Sequence, residues 1–238
     1  MANMSVTGVL SDIQEIVMRT FMNSAKPKFI LGAFATIIVA FGFAATPAAA
    51  ASPAEDYIQT NVNRGLQILD NDGTPKDQRM TQFRSFLLTL TDLKRIAVYT
   101  LGPVKNTASP ADLAAFVDAF RDYAFAVYET EFANYSGQTL QVTGLVPHGA
   151  NDVLVMTKLI DPHAKPGDQP ITVGFRVFGT PGHFTVGDIT VLGMDLAITE
   201  QDQFTSFLQE HNNDVKALTA NLKERAEKVR SSGKISGN

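Results

Sequence analysis

Four histidines, His148, His163, His183 and His211, are the first side chains to consider for chemistry. None has a partner at metal-ligand spacing. His148 follows Pro147, and His163 and His183 lie in segments rich in Pro and Gly, so they read as solvated loop side chains. The chain has no Cys, which removes a thiol nucleophile, a disulfide framework and any Cys-ligated zinc or iron–sulfur site. No G-x-S-x-G, H-E-x-x-H, P-loop or G-x-G-x-x-G is present. Glu129 and Glu131 are two apart in a helical segment and do not share a face. The sequence therefore points away from an enzyme and offers no cofactor or metal site.

What stands out instead is apolar. Phe116, Phe120, Tyr123 and Val127 recur at i, i+4, i+7 and i+11, widened by Leu113, Ala124 and Phe132. Two readings fit this stripe. It is core that packs on a sheet, or it lines a cavity for an apolar ligand, for which each buried methylene is worth about 0.8 kcal/mol.

Composition keeps both open. The 238 residues are 45% hydrophobic and only 18% charged, against about 25% charged in ordinary soluble domains. The net charge of −4 argues against nucleic acid as the main partner. Part of the apolar excess sits at Phe29–Ala45, which carries no charge, follows Lys26 and Lys28, and precedes a run of small residues ending at Ala51. That pattern reads as a secretory signal over 1–50, with a retained anchor as the alternative and Met22 as an alternative start. Export without disulfides suggests a Gram-negative periplasm. Residues 51–238 are then long enough for one domain.

Helical spacing runs through Ala54–Leu69, Lys76–Leu88 and Asp92–Leu101. Ser109-Pro110-Ala111-Asp112 is a strong helix start, with a capping hydroxyl, Pro at the first position and a carboxylate in the first turn. This helix should reach about Tyr135, before Ser136-Gly137. The period then changes to two. Thr139–Thr143, Asp152–Ile160, Ile171–Phe178 and Phe184–Leu192 read as four strands of an antiparallel meander. Helical spacing returns from Gln201, through Phe204 and Leu208 to Leu222 and Val229, and the last residues from Ser231 should fray. Helices, then strands, then helix specify an α+β fold, with a curved sheet wrapped by helices.

Two segments carry a resemblance. One is Asp92–Gly144, with Leu101-Gly102, Ser109-Pro110-Ala111, Phe116, Phe120, Tyr123 and Tyr135-Ser136-Gly137 in order. The other is Val186–Leu222, with Asp188 and Gly193 ahead of an aromatic-containing helix at Phe204 and a closing Leu-rich helix. Together they resemble the MlaC-type periplasmic phospholipid-binding proteins, also called toluene-tolerance auxiliary components of an ABC transport system. The resemblance spans roughly Ala54–Val229. Two departures stand out. The Trp or Tyr often found just before the motif Asp is absent, with Phe184 and Val186 in that stretch, and a Ser often two beyond the motif Gly is Asp195.

The resemblance implies an NTF2-like α+β fold, with a curved four-stranded antiparallel sheet, surrounding helices and an apolar cavity. It implies a carrier without a cofactor that holds a phospholipid by its acyl chains. Such a carrier passes lipid between an outer-membrane lipoprotein complex and an inner-membrane MCE-domain ABC transporter. Some relatives are associated with hopanoids, and a ligand-free envelope adaptor is the competing class. On this basis the lining is expected from Val153, Val155, Val173, Phe175, Val177, Ile189, Val191 and Met194, opposite Phe116, Phe120, Tyr123 and Val127. Lys94, Arg95 and Lys105 are expected to face a docking partner.

Overall fold

The computed structural model describes residues 51–133, 135–166, 168 and 170–232, with the side chains of 131–133 set aside. The expected leader over 1–50 and the start at Met22 lie outside the described residues, as do Phe132's side chain and residues 233–238. Elements follow the chain as α1 (Pro53–Leu69), α2 (Lys76–Leu90), α3 (Leu93–Thr100), a 3₁₀ turn (Gly102–Asn106) and α4 (Pro110–Ala133). Then come β1 (Thr139–Gly149), β2 (Asp152–Ile160), β3 (Thr172–Phe178), β4 (Thr185–Val191), β5 (Met194–Asp195), α5 (Leu196–Glu210) and α6 (Val215–Ser232).

Helix starts are fixed by side chains. At α1 the Glu55 N–H donates to Ser52 Oγ (3.3 Å) and the Ser52 N–H donates to Glu55 Oε2 (2.7 Å), a reciprocal cap with Pro53 at the first position. The Ser109 cap forms as its sequence predicts, with the Asp112 N–H donating to Ser109 Oγ at 3.1 Å. Arg79 closes the far end of α1 by donating to the Leu69 carbonyl at 2.9 Å. Gly65 lets α2 approach closely, because a Cβ there would sit 3.0 Å from the Phe86 ring.

The strands form one antiparallel sheet in the order β1-β2-β3-β4-β5. The α+β architecture expected from the sequence is the one observed. The meander has a fifth strand beyond the four expected, the two residues Met194–Asp195 paired to β4. That strand is made by a tight turn in which Leu192 (φ 51°) and Gly193 (φ 83°) both have positive φ, the primed geometry that matches strand twist. β1 also runs longer than expected, to Gly149. Its alternation is broken by a bulge near Gly144 and by Pro147, which an edge strand tolerates.

A second difference lies at the C-terminal end. The stretch that hydrophobic spacing joins is two helices, as the resemblance implies, separated where Asn212 and Asn213 adopt φ of 55° and 59°. Asn tolerates the left-handed region, so the break is written in residues that hydrophobic spacing does not see. The first of these helices also starts five residues before Gln201, at Leu196, because the Asp195 carboxylate accepts the Ile198 N–H (3.0 Å) as an N-cap.

α4 and α6 run in the same sense. Lys216 lies 3.9 Å from Asp112 near their starts, and Arg230 donates to Asp122 at 3.0 Å further along. Their shared core holds Phe116, Phe120, Tyr123, Phe204, Leu208, Leu218 and Leu222. The expectation that the Phe116 stripe packs on the sheet is thus corrected. Phe204 of α5 stands edge-on to Phe116 (6.0 Å) and Phe120 (6.3 Å), so the stripe is consumed by helices.

Candidate functional site

Register fixes which strand residues share a face. Val153, Val155 and Thr157 of β2 lie opposite Val177, Phe175 and Val173 of β3. Those three lie opposite Val186, Ile189 and Val191 of β4. All seven strand residues expected to line a pocket therefore occupy one face of the sheet. Val142 and Leu145 extend this face onto β1. The opposite face carries Leu154, Arg176 and Asp188.

This apolar face is covered only in part. Ala54 and Ile58 of α1 pack on Val155, Val177 and Val186, with Tyr57 tilted against Phe184 at 5.4 Å. Val155 and Val177 are 0% and 1% exposed. Val153, Val173, Phe175, Ile189 and Val191 face the same way and remain half-buried. A domain of this size commonly has one contiguous core. Here the sheet core and the α3–α6 core form separate clusters, and apolar surface is left uncovered on both. Val127 of α4 and Met194 of β5 are also half-buried. Phe116 is 0% exposed and offers no free surface, and Phe120 and Tyr123 are buried with it.

Two polar side chains on the helices stand near Asp188, on the other side of the sheet from this strip. Tyr128 and Glu200 both keep accessible surface. Burial nevertheless pushes the Tyr128 hydroxyl up, helped by the negative charges of Asp188 and Glu200. Burial likewise pushes the Glu200 carboxyl up, against the pull of Arg225. Nearby, Arg225 donates to the Tyr123 hydroxyl at 2.7 Å and lies 4.5 Å over its ring.

The opposite face, toward α3 and α5, carries charge. Arg176 makes a two-pronged pair with Asp152, at 3.0 and 2.8 Å. This holds the Asp152 carboxyl below the usual carboxylate range. The guanidinium of Arg95, one of the expected docking residues, lies 4.6 Å over the Phe178 ring. Lys94 is exposed on α3 and Lys105 is half-buried on the 3₁₀ turn. Lys94 and Arg95 thus share α3 and Lys105 lies on the 3₁₀ turn that follows it, and Arg95 is held by stacking.

Chemistry of other kinds finds no assembly here. All four histidines are exposed, and no cluster of three or more His, Asp or Glu suited to a metal occurs among the described residues. No helix among them is long and apolar enough to cross a membrane.

The family model described as "MlaC protein" matches residues 59–224. The chain belongs to the MlaC family. The MlaC match takes in α1 from Gln59, the whole sheet, α4, α5 and most of α6, and hence every residue of the half-covered face. A solved structure of a phospholipid-binding protein from Ralstonia solanacearum, in complex with a phospholipid, has the same fold, with a TM-score of 0.63. It is 22% identical, and the match covers 76% of this chain and 99% of that one. The MlaC fold therefore accounts for the order of helices and strands.

Sequence reasoning missed Tyr128 and Glu200. Glu200 falls between Ala197 and Phe204 on the buried stripe of α5. An acidic residue in that phase was a visible signal once the helix is known to begin at Leu196 rather than near Gln201.

Proposed function

We propose that this protein is a periplasmic lipid carrier that holds a phospholipid by its acyl chains against the inner face of the sheet. The observation that carries the reading is the half-covered strip of Val153, Val173, Phe175, Ile189 and Val191 on an otherwise well-packed domain. Family membership and the phospholipid held by the Ralstonia protein support it. Val127 and Met194 complete the lining, while Phe116, Phe120 and Tyr123 hold the helical wall behind it. An adaptor without ligand calls for a filled core, which the two separate clusters disfavour.

Energetics suit a carrier. Burying two chains of ~16 carbons is worth about 25 kcal/mol, but a membrane offers the same burial. Delivery then turns on docking that opens the lining, with Lys94, Arg95 and Lys105 as the basic contacts. The partners in this reading are an inner-membrane MCE-domain ABC transporter and an outer-membrane lipoprotein complex, reached after removal of a leader over residues 1–50.

The test is native followed by denaturing mass spectrometry of residues 51–238, exported to a bacterial periplasm and purified without detergent. A near-stoichiometric phospholipid supports the reading, and a hopanoid mass moves the ligand to that class. A lipid-free protein that takes up nothing from vesicles of phosphatidylethanolamine and phosphatidylglycerol overturns it.

A further inference from the structure

The face of the sheet turned away from the apolar strip is covered unevenly. Arg95 of α3 stacks on Phe178 there, and the Ala197 N–H of α5 donates to Asp188, so these helices cover β4 and the end of β3. The β1–β2 hairpin carries the same face into solvent. Leu154, Met156, Lys158 and Ile160 alternate along β2 with the strip residues Val153 and Val155 and with Thr157, and Val146 of β1 lies opposite Leu154. Val146 is 48% exposed and Ile160 40%, with Leu154 and Met156 half-buried between them. Lys158 is exposed in the same row, opposite Thr172. The Thr172 carbonyl accepts the Leu192 N–H at 3.0 Å, which brings Leu192 to this end of the sheet. Isolated apolar side chains on a surface are ordinary, but a continuous stripe on one face marks an interaction site.

Two observations choose the occupant. The exposed parts of Val146, Ile160 and Leu192 fall well short of the about 800 Å² that each partner of a stable protein complex buries. The uncancelled charge on the stripe is basic. Asp152 is held by Arg176, and Asp161 and Asp168 in the loop beyond accept the His163 and Lys165 N–H groups, so Lys158 has no ion pair among the described residues. We infer that this face of the β1–β2 hairpin docks on an anionic lipid bilayer, with Val146, Ile160 and Leu192 entering the head-group region and Lys158 meeting lipid phosphate. A few apolar side chains beside a basic one give weak, reversible attachment, which needs no shape complementarity. The inference goes beyond the carrier reading: the strip holds a lipid, and the opposite face rests the protein on the membrane.

The test floats soluble protein, expressed from the full chain, with vesicles of phosphatidylcholine alone or of phosphatidylcholine and phosphatidylglycerol in equal parts. The wild type should float with the mixed vesicles and several-fold less with the neutral ones. Lys158→Gln should weaken attachment to the mixed vesicles by about fivefold, the worth of one basic residue near an anionic surface, and leave the neutral ones unchanged. Val146→Thr combined with Ile160→Thr should weaken attachment to both, and Thr suits exposed strand positions, so the sheet is kept. Leu192→Asn should weaken it too without a fall in Tm, which separates docking from folding. Flotation with neither vesicle, equal flotation of the wild type with both, or unchanged flotation of the Val146→Thr, Ile160→Thr variant overturns the inference. A dimer in sedimentation that the same variant dissolves also overturns it, and assigns the face to a second copy of the chain. Flotation reads attachment whether or not lipid leaves with the protein, so the carrier reading stands or falls separately.

Discussion

The carboxyl groups of Asp188 and Asp195 stand side by side, a contact of like charges that favours one of them holding its proton. Asp188 ends its side chain at the turn into α5, where its Oδ1 accepts the N–H groups of Ile189 (2.7 Å) and Ala197 (3.1 Å). Asp195 meanwhile caps α5 through the Ile198 N–H. One pair of acids therefore ties the last full strand to the helix that carries Glu200. Where a Ser is common at the second position in the family's pattern, this chain has an acid, which makes the tie sensitive to pH.

Burial first, then the Asp195 contact, pushes the Asp188 carboxyl up to about 7. Arg176, opposite Asp188 on β3, opposes the shift, and Tyr128 faces it from α4. The folded state thus holds a proton that the unfolded chain releases near pH 4. By linkage this contribution to stability is full below about pH 4, declines as pH rises, and is lost above about pH 7. Asp195→Asn supplies an N–H donor to an ionised Asp188 and should flatten that decline. Tm measured from pH 4 to pH 8 checks this, and parallel profiles for the two proteins refute it.

Gln59 acts as a clip on the edge strand. Its Nε2 donates to the Leu140 carbonyl at 3.2 Å, and its Oε1 accepts the Val142 N–H at 3.0 Å. Both groups lie on the side of β1 that has no partner strand. Gln59→Ala should cost about 1–2 kcal/mol by urea unfolding, and faster amide exchange at Val142 should accompany it. Unchanged exchange there would show that the clip is dispensable.

Much of this arrangement was legible in the sequence. The density of Val, Leu and Ile in Asp152–Ile160 and the alternation in Ile171–Phe178 marked two strands nearly to the residue. They also placed all seven inward residues on one side. The partners of the Phe116 stripe were not legible, since periodicity reveals which face is apolar and not what covers it. Met194–Asp195 escaped because two residues carry no period, and the Asn212-Asn213 break escaped because it depends on backbone φ.

The two faces should respond differently to truncation. Phe116 is fully enclosed, so Phe116→Ala should cost about 3–5 kcal/mol. Phe175 is half-buried on the lining, so Phe175→Ala should cost under about 2 kcal/mol and show itself in reduced lipid retention. Unfolding curves with lipid quantification on each variant separate the two. Equal stability losses would place Phe175 in ordinary core.

Leu192 holds a left-handed conformation at the tip of the β4–β5 turn and is 39% exposed. Leucine is poorly suited to that φ, whereas Asn ahead of Gly is the preferred pair. Leu192→Asn should therefore gain about 0.5–1 kcal/mol, read as a higher midpoint in denaturant. A lower midpoint would mean that Leu192 makes contacts that outweigh the strain.

The central claim is that acyl chains lie on the half-covered face of the sheet. The most direct measurement loads the protein with a phosphatidylglycerol carrying a diazirine near the end of one acyl chain, irradiates it and maps the labelled peptides. The account predicts labels within Thr172–Phe178 and Thr185–Val191, on the residues that share a face with Phe175 and Ile189. Labels confined to outward residues such as Leu88, Val146 or Ile160, with none on β3 or β4, would contradict it.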